Sequence, residues 1–240
     1  NGIVDYVPHA WNVAYINSKW QLFDPTWGAG YIQNGKYLNK LNNFHFNTSP
    51  VVLIKTHIPF DPIWQLLNYT INNTEFYQGK TEINTKNIFF NFNDSIAKYE
   101  LSNDIQRYES ADMRIKNQGV INSILQNRHQ YNLQQIEYFK NKEASDLYNL
   151  ASIKVSEGVK RLNDFISYRN NQFTPMQTDM EIQLMLVKID SAFIKANELI
   201  DKVQFTDPSN KALIVQFKQS MVDISKNIDE QKAFVAKYLS

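Results

Sequence analysis

His9 and Asp24 stand fifteen positions apart in HAWNVAYINSKWQLFDPTWGAG, the stretch from His9 to Gly30. An imidazole with one ring nitrogen held by a carboxylate has a fixed tautomer, and its other nitrogen is left to take a proton from a thiol or hydroxyl. The spacing fits a β-hairpin whose two-residue turn is Asn17 and Ser18. Ile16 then pairs with Lys19 and Trp11 with Asp24, which puts His9 diagonal to Asp24 on the same face. Pro25, Trp27, Gly28 and Gly30 turn the chain sharply after Asp24 and offer backbone for a cleft wall. Trp27 and Gly28 are therefore the candidate substrate-binding residues, with Trp27 open to a reading as core or as platform.

Such a base serves a nucleophile, and the sequence contains no cysteine. Ser18 sits at the far end of the hairpin from His9 and is a poor substitute. His57, followed by Ile58 and Pro59, reads as a turn or core histidine. His45 and His129 have no carboxylate at ligand spacing, and scattered histidines without cysteines do not make a metal centre, so neither a metal nor another cofactor is expected. Trp11, Trp20 and Trp64 read as core, and Asn12 points to the face opposite His9.

The elements that position this pair follow from pattern. Trp11, Val13 and Tyr15 share a hairpin face with Trp20 and Leu22, and that face is expected to be buried. A strand is expected at 51–55, a helical turn at 63–68 and a further strand within 84–92. Near residue 93 the composition changes. All four tryptophans lie before it, and no proline occurs between Pro62 and Pro175. Beyond it apolar residues recur at helical spacing. Helices are expected from 93 or 94 to 116, then over about 50 residues as one helix or as two with a break near Asn141, then 179–203, and from a Thr206–Asp207–Pro208 cap to Tyr238. The fold class is α+β: a β-rich part over 1–93 and an antiparallel helical bundle over 94–240.

Charge excludes some functions. Lys plus Arg number 25 against 24 Asp plus Glu, so no excess charge drives phosphate binding, and nucleic acid is set aside. No apolar run reaches the roughly 18 residues that a membrane span needs. The start at Asn1 leaves localisation open, with a bacterial secreted or periplasmic setting favoured.

HAWN, an aromatic-rich strand and DPTWGAG together resemble the transglutaminase-like superfamily. THIPFDPIWQLLN, from Thr56 to Asn68, resembles the sequence that follows this core in bacterial members of its kyphoscoliosis-peptidase-like branch. The resemblance covers about residues 9–68 and implies the second half of a papain-like domain. It also implies a cysteine, histidine and aspartate triad acting on amide bonds of a protein or peptide, by hydrolysis or acyl transfer. His9 takes the base position and Asp24 the orienting acid. The family's cysteine lies some tens of residues before the histidine, where this sequence has eight residues. The chain alone is therefore expected to be inactive and the N-terminal half of the domain is a possible partner, expected to cover the hairpin face. The alternative is a non-catalytic scaffold whose helical part supplies an interaction surface.

Overall fold

A computed structural model describes residues 8–240. Strands β1 (Asn12–Ile16) and β2 (Lys19–Phe23) form an antiparallel hairpin in which Ile16 pairs with Lys19 and Asn12 with Phe23. Asn17 and Ser18 both take positive φ, 51° and 60°, the geometry of a type I′ turn whose twist matches that of the strands. A short helix α1 (Pro25–Ala29) follows directly, then a two-stranded ribbon of β3 (Gly30–Gln33) and β4 (Lys36–Asn39). A 3₁₀ turn at Asn43–His45 leads into β5 (Phe46–Thr48), which adds to the free edge of β2 to give the order β1-β2-β5.

The next elements are short: α2 (Pro50–Leu53), a 3₁₀ turn at Pro62–Gln65, and α3 (Asn73–Tyr77). The apolar run expected as a strand at 51–55 is thus helical. Pro50 occupies the first helical position after Ser49, where its missing N–H costs nothing, and Leu53 and Ile54 are buried. The strand expected within 84–92 is likewise absent among the described residues. That segment turns at Asn84–Asn87, and Phe90 N–H donates to Asn68 O at 2.7 Å.

Helices α4 (Phe92–Leu101) and α5 (Asp104–Gln118) replace the single helix expected from 93 to 116. The break has a local cause. The Asn103 side chain accepts from Gln106 N–H while the Gln106 side chain accepts from Asn103 N–H, a capping box that starts a new helix. α6 (Ser123–Asn170) is one continuous helix of 48 residues, followed by α7 (Asp179–Ile200) and α8 (Pro208–Tyr238). The molecule is therefore α-rich with a small antiparallel sheet, an α+β chain.

Two compact units meet in sequence within α6, the first ending at Ile136 and the second running Glu137–Ser240. The compositional change near residue 93 coincides with the start of α4, the first of the longer helices, but the last strand already ends at Thr48 and α4 belongs to the core of the first unit. There Ile96 packs with Leu22, Leu53, Ile63 and Leu66, and Trp11, Val13, Trp20 and Trp64 lie against them partly buried. The hairpin face expected to need an upstream segment is thus packed largely by the chain's own residues, with Tyr15 the exception at 60% exposure.

In the second unit α7 buries Ile182, Leu186, Ile189, Phe193, Ala196 and Ile200, steps of four and three that keep one stripe toward the core. A side chain at Gly158 of α6 would come within 2.7 Å of the buried Phe193 ring, so the glycine permits close approach of α7. Gly158→Ala gains up to about 1 kcal/mol of helix propensity but costs about 1–3 kcal/mol in overpacking. We expect a net lower thermal midpoint by calorimetry; a raised midpoint would contradict this packing account.

Candidate functional site

The site grows from a helix cap. Asp24 stands at the N-cap of α1, and its Oδ1 accepts from the backbone N–H groups of Thr26 and Trp27, each at 3.1 Å. Pro25 at the first helical position presets the backbone for that arrangement. Asp24 N–H donates to His45 O at 2.9 Å, which fixes the backbone of Asp24 against the turn before β5. The residue is 1% exposed.

Its second oxygen serves two imidazoles. His9 Nε2 lies 2.8 Å from Asp24 Oδ2, the contact that the hairpin spacing predicts. His57 Nε2 lies 3.0 Å from the same oxygen. A carboxylate only accepts, so each Nε2 carries its hydrogen toward Asp24. His57 Nδ1 is 2.7 Å from Thr56 Oγ1, and the ring is buried. The His9 side chain keeps 17% exposure, and among the described residues its Nδ1 has no hydrogen-bond partner.

Two indoles fix the rings. His9 stacks on Trp27 with centroids 5.2 Å apart and on Trp11 at 6.4 Å, while His57 meets Trp27 at 4.5 Å and Trp11 at 5.1 Å edge-on. Trp27 is 44% exposed, and with His9, Trp11 and His57 it lines a cavity of about 820 Å³ that also reaches Arg107 and Arg128. Gly28 sits differently. Its carbonyl accepts from Asn42 N–H, and its Cα side faces Asn42 O and His45, away from the cavity lining.

Sequence reasoning missed His57. It reads as a turn or core histidine, and it is indeed buried, but its Nε2 donates to Asp24 from 33 positions away. His57 N–H donates to Leu53 O at 2.9 Å, so the end of α2, a helix in place of the expected strand, aims the ring. Asp61 follows it, capping the 3₁₀ turn at Ile63 N–H and receiving both nitrogens of the Arg114 fork at 2.7 Å. His129 also has a carboxylate that sequence spacing hides: its Nδ1 is 2.5 Å from Asp112 Oδ1, from α6 to α5.

His9, Asp24 and His57 could each offer one atom to an ion, and among the described residues those atoms lie within 4.8 Å of one another. A divalent ion there would have to displace the two imidazole hydrogens that meet Asp24. Asp24 and His57 have their hydrogen bonding complete without an ion, and among the described residues only His9 Nδ1 is left open.

Burial pushes the Asp24 carboxyl up, but the Trp27 N–H, helped by His9 and His57, outweighs it and holds the group below its usual 3.8. Burial pushes His57 below its usual 6.5, and the Asp24 carboxylate offsets this only in part. Both groups bind their proton more readily in the unfolded chain. For His57, stability is lost as pH falls from about 6.5 through its folded value; for Asp24, the loss begins below about 3.8. Thermal melting is therefore expected to fall between about pH 7.5 and about pH 5, with His57→Gln flattening the decline. A midpoint that rises on acidification through this range would contradict these environments.

The comparisons with known proteins are local. A stretch of 61 residues, 25% of the chain, is 41% identical to the kyphoscoliosis peptidase of Mus musculus and equally to that of Homo sapiens. The match spans 9% of the length of those two relatives. No family profile and no solved structure matches the chain.

Proposed function

We propose that this chain carries the general base and the orienting acid of a transglutaminase-like cysteine peptidase or acyltransferase, built on the second half of a papain-like domain. The observation that carries the reading is the His9 Nε2 to Asp24 Oδ2 hydrogen bond, which leaves Nδ1 without a partner among the described residues on a ring that lines the cavity. The local similarity to kyphoscoliosis peptidase supports the same class. The 240 residues hold no cysteine, so the thiol comes from chain outside them.

In this mechanism His9 Nδ1 takes the thiol proton, and the thiolate sulfur bonds to the amide carbon. Asp24 stabilises the imidazolium. His9 then returns the proton to the departing amine as the C–N bond breaks, leaving a thioester. Water attacking that thioester gives hydrolysis; a second amine gives acyl transfer. Trp27 forms a platform beside the reacting atoms, with Gly28 supporting it from behind. A protein or peptide substrate suits the surface next to α1, where β3 and β4 expose Tyr31, Ile32, Tyr37 and Leu38.

The test is to express the complete coding sequence and assay it with a casein-derived peptide, for hydrolysis and for incorporation of dansylcadaverine. We expect turnover sensitive to iodoacetamide, reduced by at least about 10²-fold in His9→Ala and in Asp24→Ala. Turnover untouched by His9→Ala would contradict the reading. No turnover, with the chain instead retaining a protein through its helical unit, would favour the scaffold alternative.

A further inference from the structure

Two histidines share one carboxylate oxygen, and their surroundings separate their roles. His57 is buried with both ring nitrogens engaged, Nε2 by Asp24 and Nδ1 by Thr56. Its ring has no free nitrogen to offer a substrate. His9 is partly exposed and engages Asp24 through Nε2 alone among the described residues.

Resting on the base and acid assignment above, we infer that His57 is a positioning residue: its Nε2–H holds Asp24 Oδ2 toward His9 and keeps the buried carboxylate ionised. It takes no proton from the reacting groups. The reason lies in how the carboxylate is saturated. Oδ1 is held by two backbone N–H groups, which set the plane of the carboxylate. Oδ2 is then the oxygen that His9 meets, and without His57 its only donor would be the base itself. A buried carboxylate with one donor fewer on that oxygen is easier to protonate, and a protonated Asp24 cannot stabilise the His9 imidazolium.

Thr56 completes the arrangement. Its one hydroxyl hydrogen has two acceptors in reach, His57 Nδ1 at 2.7 Å and Leu53 O at 3.3 Å; a neutral His57 that gives its Nε2–H to Asp24 has only a lone pair at Nδ1, so the hydrogen goes to that nearer nitrogen. The titratable groups facing Asp24 and His57 are His9 from the segment before β1 and His45 from the turn before β5, whose ring centroid is 6.3 Å from that of His57. Lys55, Asp61, Asp104, Arg107 and Arg128 line the cavity beyond them.

Side-chain amides separate positioning from packing. In His57→Gln the amide nitrogen falls near the place of Nε2 and keeps a donor for Asp24. In His57→Asn it falls near the place of Nδ1, and the donor to Asp24 is lost. The measurement is nuclear magnetic resonance on the 240-residue chain, with ¹⁵N-labelled histidine and ¹³C-carboxyl-labelled aspartate. In the unsubstituted chain both His9 and His57 are expected to carry hydrogen on Nε2 and none on Nδ1. His57→Asn is expected to raise the protonation midpoint of the Asp24 carboxyl by about one unit, and His57→Gln by less than half of that. Equal Asp24 midpoints in the two variants would overturn the inference. So would His57 carrying its hydrogen on Nδ1 in the unsubstituted chain, a result that needs no variant to fold. His9 carrying its hydrogen on Nδ1 would instead remove the base assignment, whatever the His57 variants do.

Discussion

The Asp24 carboxylate accepts four hydrogen bonds, two from backbone N–H groups of its own helix start and two from imidazoles that reach it from different parts of the chain. A carboxylate at 1% exposure is tolerable only when its oxygens are occupied in this way. The constraint runs outward from there. The hairpin register places His9, the end of α2 places His57, and the turn before β5 pins the Asp24 backbone through His45 O. Trp11 and Trp27 fill the space around both rings. One residue therefore caps a helix, joins three segments of the first unit and orients the group proposed as the base.

What was legible in the sequence is what depends on short range. The two-residue turn at Asn17 and Ser18 determines which residue faces which, and His9 and Asp24 follow from that count alone. The start of α8 was legible because Asp207 and Pro208 carry their own signal, and the Asp207 side chain does accept from Ser209 N–H. The same Asp–Pro pair recurs at Asp24–Pro25 and Asp61–Pro62, and at each the aspartate caps a short helix or 3₁₀ turn. Read at all three places, it would have revealed α1 and set the start of the turn expected at 63–68 at Pro62.

What was not legible depends on tertiary packing. The Val51–Ile54 run has the composition of a strand, yet the chain has Pro50 ahead of it and a core that takes Leu53 and Ile54 from one side of a helical turn. The partnership of His57 with Asp24 crosses 33 positions, and that of His129 with Asp112 joins two helices; neither spacing has a local signature. The compositional break near residue 93 is real, but α4 returns to the sheet and completes the first core. A change of secondary structure and a change of compact unit are different events in this chain.

The central claim is that Asp24 works as an anion saturated by four donors. Asp24→Asn tests it directly, because asparagine keeps the shape and the cap acceptor but turns an amide N–H₂ toward two imidazole N–H groups. Urea unfolding of the 240-residue chain at about pH 7 should show a loss of at least about 3 kcal/mol, the cost of a charge-assisted pair broken and its donors left buried. A change within about 0.5 kcal/mol, the range of an ordinary surface substitution, would contradict the account.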